Sequence, residues 1–138
     1  MAATTIQGPG VSVTMPTGFV LKANKIDGQL DIPLAPDTGF SDNGWYSANP
    51  CGPLKLSGTV SGVQQTKTNQ PIPSALIAST VDPTQAQGSM TLTFASGCTL
   101  TFTANISQWK FARDMTTAME SSFPYESKGA VVLAWQTS

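Results

Sequence analysis

Turn punctuation constrains this 138-residue chain more than any other feature. Turn-forming groups recur along it: Gly8-Pro9-Gly10, Pro16-Thr17-Gly18, Asp27-Gly28, Pro36-Asp37-Thr38-Gly39, Asp42-Asn43-Gly44, Asn49-Pro50-Cys51-Gly52, Gln87-Gly88, Ser96-Gly97 and Lys128-Gly129. Proline inside a helix removes a hydrogen bond and clashes with the preceding turn, and glycine weakens a helix by its freedom. Ten prolines and twelve glycines therefore leave little room for long helices. Between the breakers lie short runs rich in Val, Ile, Thr and Phe, the pattern of a sandwich or barrel. The expected fold class is all-β, with little helix.

The runs alternate with the period of two that places successive side chains on opposite faces of a sheet. Leu30, Ile32 and Leu34 alternate with Asp31 and Pro33; Leu54 and Leu56 lead into Gly58, Val60 and Gly62. Met90, Leu92 and Phe94 alternate with threonines, as do Leu100 and Phe102, followed by Ala104 and Ile106. Val131, Leu133 and Trp135 close the chain. Each apolar row is expected to meet a core and each Thr row to stay half exposed. Ser96-Gly97 makes residues 90–106 a hairpin. Two segments read less simply. Pro73 to Thr80 favours a short helix, since it opens on proline and contains Ala75-Leu76-Ile77-Ala78. In Ala112 to Ser122, Met115 and Met119 share a helical spacing, but strand–turn–strand through Thr116-Thr117-Ala118 is preferred.

Charged residues are only 11% of the chain, against roughly 25% in an average soluble domain. Small polar residues fill the gap, which suits surfaces packed against something. The net charge is −1, and the seven basic residues form no run. A grip on nucleic acid needs several cations displacing counterions from phosphates, so none is expected. DNA passing nearby without binding remains compatible. Met1-Ala2-Ala3-Thr4-Thr5 has no basic and apolar leader pattern, and no run approaches the ~20 apolar residues of a membrane span. Cytoplasmic synthesis without membrane insertion is the expectation.

The chain contains no histidine, which removes Ser–His and Cys–His nucleophilic pairs and most catalytic zinc sites. A carboxylate pair acting as acid and base remains a possible hydrolase. Asp27 and Asp31, an even number apart, share a sheet face in that reading. Most acids, however, sit beside turn residues, where aspartate caps locally. Asp37, Asp42 and Asn43 are oxygen donors in one loop but lack the spacing of a calcium loop. No phosphate-binding glycine motif is present. The sequence therefore points to no catalytic residue, cofactor or metal. Cys51 and Cys98 both sit in turns, and a bridge between them is possible, although a cytoplasm would keep them reduced. Trp45-Tyr46, Trp109 and Trp135 admit a sugar-binding reading. Trp109 and Trp135, on strands, favour the core, while Trp45 and Tyr46 are open between core, ligand and subunit contact.

The order of these features resembles the tail tube proteins of tailed bacteriophages along most of the chain. An early strand with Ile26, Leu30 and Ile32 runs into the acidic loop Asp37-Thr38-Gly39-Phe40-Ser41-Asp42-Asn43-Gly44-Trp45. Leu54 to Gly62 is similar to the family's glycine-bearing strand. Ala75-Leu76-Ile77 precedes the hairpin, and Ser122 to Trp135 is similar to the closing strands.

The resemblance implies one domain, residues 1–138: a β-sandwich or partial barrel with a small flanking helix. It implies a structural virion protein, made in the host cytoplasm, whose hexameric rings join edge to edge and stack into a tube. DNA crosses the lumen without specific binding. Partners are further copies, a tail terminator or baseplate at the ends and, in contractile tails, a sheath. The loop from about Pro36 to Pro53 is the candidate ring-stacking element, with Asp37, Phe40, Asp42, Trp45 and Tyr46 as its contact residues. The rival readings are a head decoration or tail-completion protein, and a monomeric carbohydrate-binding module.

Overall fold

The computed structural model describes residues 11–36, 45, 47–64 and 70–136. Among the described residues nine strands form in chain order: β1 (Ser12–Thr14), β2 (Lys22–Asp31), β3 (Leu34–Pro36), β4 (Ala48–Pro50), β5 (Lys55–Val63), β6 (Gln87–Ala95), β7 (Cys98–Ile106), β8 (Lys110–Ala112) and β9 (Glu120–Ala134). Seven of them make one curled antiparallel sheet in the order β1-β6-β7-β9-β5-β2, with β8 also paired to β9. β3 and β4 form a separate two-stranded ribbon that continues the β2–β5 hairpin outward as an arm.

β9 organises the sheet. Its first half pairs with β5, Val60 opposite Phe123 and Gly62 opposite Ser121. On its other side β8 and then β7 follow one another, Lys110 opposite Ser122 and Ile106 opposite Tyr125. Lys128-Gly129, read in the sequence as a turn, lies inside β9. Gly129 takes a positive φ of 76° there, and the register with β7 shifts by two residues between Thr101 and Thr103. Because two is the period of the strand, the shift bends β9 without exchanging its faces.

One face of the sheet is apolar and sealed. Val60, Met90, Leu92, Phe102, Phe123 and Tyr125 are buried, with Phe19 and Ile72 packed over them from the segments flanking β1 and preceding β6. Phe19 meets Phe123 edge-on at 5.7 Å between ring centroids. Tyr125 crosses the β5 and β2 strands, and its hydroxyl donates to the Asp27 carbonyl at 2.9 Å. The ring needs Gly28 beneath it: a Cβ there would stand 2.6 Å from the Tyr125 oxygen.

The expected hairpin is present, turning at Ser96-Gly97 with Gly97 at a φ of 80°. The preferred strand–turn–strand reading of 112–122 also holds, since β8 ends at Ala112 and β9 starts at Glu120. The short helix expected over 73–80 contracts to one 3-10 turn, Ser74–Leu76, and a second covers Pro83–Ala86. Ile77, at φ −124° and ψ 15°, departs from helical geometry and ends the first turn, and the Asp82 carboxylate caps the second by accepting from the Thr84 amide. The Thr84 hydroxyl donates to the same carboxyl and holds it below the usual carboxylate range.

Candidate assembly surface

The strand register gives the sheet two ends. At one, β2, β6 and β9 finish while β5 and β7 begin, and the arm extends beyond it. Most of the large apolar side chains left exposed among the described residues gather there. Leu30, Ile32, Leu34 and Leu54 lie on the arm and its root, Val132 and Leu133 lie at the end of β9, and Trp135 directly follows it. Leu34 is 59% exposed and Leu133 62%. The expected core row Leu30-Ile32-Leu34 is thus corrected, because Pro33 interrupts the ladder and carries the chain past the segments that roof the core. Leu133 and Trp135 likewise extend past the covered part of the sheet. Trp135, expected in the core, is 47% exposed and rests against Phe94 at 6.1 Å.

Of the candidate stacking residues, Asp37, Phe40, Asp42 and Tyr46 lie outside the described residues. Trp45 lies between β3 and β4 in the arm and is 80% exposed. An indole so open contributes nothing to a core, and large rings of this kind dominate contact energies when a partner covers them. The sequence did not distinguish Leu30, Leu34, Leu54 and Leu133 from core residues. The prolines beside Ile32 and Leu54, which break the ladder, were the available signal.

The sheet also leaves strand edges open. β2 is paired on its β5 side alone, and beyond Glu126 β9 is paired only with β7 among the described residues. Open rows of N–H and C=O groups are a template for pairing with another chain.

The bare face opposite the core is polar. Gln87, Ser89, Thr91 and Thr93 of β6 run beside Asn105, Thr103, Thr101 and Thr99 of β7. Gln87 donates to Asn105 at 2.8 Å, and Lys128 donates to Gln87 at 3.5 Å. Lys55 and Glu126 form an ion pair at 3.2 Å with both side chains about half exposed, which contributes about 0–1 kcal/mol.

Other candidate sites are not assembled. Trp109 donates from its indole to Ser121 at 3.2 Å and stacks on Phe111 at 4.7 Å. It stands roughly 40 Å along β9 from Trp135, at about 3.3 Å per residue, so the two cannot share a sugar. Asp27 and Asp31 do share a face, but Gln29 between them donates to Asp31 at 3.1 Å. Cys51 is exposed and Cys98 buried, both as free thiols, so the possible bridge is absent. Among the described residues no three His, Cys, Asp or Glu side chains converge on a metal site.

With this geometry in view, the likeness to solved structures is informative. A chain from the tail of an empty gene transfer agent (GTA) particle, obtained by helical refinement with C6 symmetry, matches at a TM-score of 0.60 and 11% identity. The match covers 83% of each chain. A chain from the virion of a native GTA particle matches at a TM-score of 0.66 and 12% identity, over 93% of this chain and 98% of that one. No family model matches the sequence, and no curated protein does. The likeness shows the fold: an all-β, curled half-barrel sheet shared with these two chains of GTA particles.

Proposed function

We propose that this chain is a structural virion protein of a phage-like particle, and in particular a tail tube subunit. Copies join through their open strand edges into hexameric rings, and the rings stack into a tube through which DNA leaves the particle. The observation that carries this reading is the apolar, edge-bearing end of the sheet in a fold shared with a chain of a six-fold symmetric tail. A head-to-tail contact that closes into a ring satisfies every such edge without running on into a fibre. Scattered cations and a balanced charge suit a conduit that lets a polyanion slide. The arm, with Trp45 and the neighbouring Asp37, Phe40, Asp42 and Tyr46, makes the ring-to-ring contact. Nothing in this role requires catalysis, a cofactor or a membrane. Partners at the tube ends, and a sheath where the tail contracts, complete the assembly.

Negative-stain microscopy of the concentrated protein tests the reading. Hollow striated tubes or six-fold rings are expected, and monodisperse single subunits overturn it. Rings that never stack favour the neighbouring reading of a tail-completion or head decoration protein. Replacing Trp45 and Tyr46 together by Ala is expected to shorten the tubes, and unchanged tube length rejects the stacking role of the arm.

A further inference from the structure

The two ends of the sheet differ in charge. At the arm end, residues 32–54 contain Asp37 and Asp42 and no Lys or Arg. Asp31 stands at the root of the arm, and Lys55 opposite it is already paired with Glu126. At the far end, Lys22, Val63, Glu120 and Ala112 form one row across β2, β5, β9 and β8. Lys22, Lys25, Lys110 and Arg113 outnumber Asp114 and Glu120 there. We infer that this far end, with Phe111 and Met115, is the surface that receives the arm of a copy in the next ring. The inference rests on the proposed stacking of rings and names the surface the arm meets.

The turn between β8 and β9 presents an apolar tip. Arg113 donates from its guanidinium to the carbonyl oxygens of Asp114 and Thr117, and the Asp114 carboxylate accepts from the Thr116 amide. Carbonyl partners are neutral, so they leave the charge of Arg113 uncancelled. Met115, within this turn, is 98% exposed, and Phe111 stands open beside Trp109. A flexible thioether adapts to a partner's shape, which suits it to a contact surface. Next to the turn, a shallow depression of about 490 Å³ is walled by Phe111, Lys25, Lys110 and Glu120. It has room for an indole. Trp45, Leu34 and Leu54 of the arm supply the apolar side of the contact.

Charge selects the pairing. Two arm ends facing each other bring acid against acid, and two far ends bring cation against cation. Unlike ends attract, which fixes one direction of stacking. A contact between two different patches also repeats without closing, as a tube requires and a sealed dimer does not. The attraction acts between exposed groups, so added salt weakens it.

Cross-linking between two marked subunits tests the pairing. In a Cys51→Ser background, one subunit carries Leu34→Cys and the other Met115→Cys, and mixed tubes are treated with a short bis-maleimide. Covalent pairs containing one of each are expected, with few pairs of either variant with itself. Tubes that form but give no mixed pairs, or give Leu34→Cys self-pairs in equal yield, overturn the inference and leave ring stacking standing. A second measurement reads the charge. Met115→Asp, which sets an acid against the acidic arm, is expected to shorten tubes roughly fivefold or more at low salt, while Met115→Lys leaves their length within about twofold. Equal shortening by both, or by neither, overturns the charge pairing on which the inference stands. Failure of the unsubstituted chain to form rings or tubes overturns the assembly reading, and this assignment with it.

Discussion

The middle of the sheet and its arm-bearing end contain the same kinds of side chain in opposite circumstances. In the middle, Val60, Phe123 and Met90 are fully buried beneath Phe19 and Ile72. At the end, Leu30, Leu34, Leu54 and Leu133 face solvent although they continue the same alternating rows. Full burial of a Leu contributes roughly 1.5–3 kcal/mol, a gain the isolated subunit forgoes at the end. The difference teaches that alternation fixes which face a residue occupies, while the reach of the covering layer decides whether that face is sealed. Apolar rows that outrun their cover stay open in the isolated subunit, and in the proposed assembly another chain covers them.

Substitutions in the two regions should therefore behave differently. The largest effect is expected from Phe123→Ala, which opens a cavity in the sealed middle and should cost dilute subunits about 3–5 kcal/mol in chemical denaturation. A loss under 1 kcal/mol would mean the middle is not closed. Gly58→Ala comes next. Its Cβ would lie 2.0 Å from the Asp27 carbonyl oxygen, so β2 must move off β5. Crowding of that kind costs about 1–3 kcal/mol, and faster amide exchange in β2 should accompany it.

Tyr125→Phe, at the border of the sealed region, should cost about 1 kcal/mol for the hydrogen bond to Asp27. It also has a pH signature. Burial, with the Asp27 charge adding to it, pushes the Tyr125 hydroxyl up to about 12 from an ordinary value of 10.0. The folded chain then keeps a proton that the unfolded chain has lost. The stability from this group is complete below pH 10.0 and falls as pH rises toward about 12. Denaturation curves of wild type and Tyr125→Phe should converge over that window, and a constant separation would contradict the burial of the hydroxyl. The smallest effect on the subunit is expected at the open end. Leu34→Ser combined with Leu133→Ser should change subunit stability by no more than about 0.5 kcal/mol, yet raise the concentration at which light scattering reports assembly. Unchanged assembly would show that the end is not an interface.

Much of this architecture was legible in the sequence. Gly97 announced the hairpin because a two-residue turn needs its positive φ, and the Thr–apolar alternation of β6 and β7 assigned both faces. Gly129 was misread because a glycine that bends a long strand and one that ends it look alike until the partner strand is known. The helix over 73–80 shrank to a single turn because its role is to lay Ile72 and Leu76 on the core, which needs no further length. Within the candidate site, Trp45 was visible as an aromatic stranded in a turn-rich loop. Leu34 and Leu133 were not, since no local pattern reveals where a roof of distant residues ends.

Assembly through open strand borders is tested most directly by amide hydrogen exchange on assembled particles and on free subunits. The account predicts that amides along the outer side of β2, from Lys22 to Asp31, exchange quickly in free subunits and slowly once copies have associated. Exchange at the same fast rate in both states would contradict it, however tightly the particles hold together.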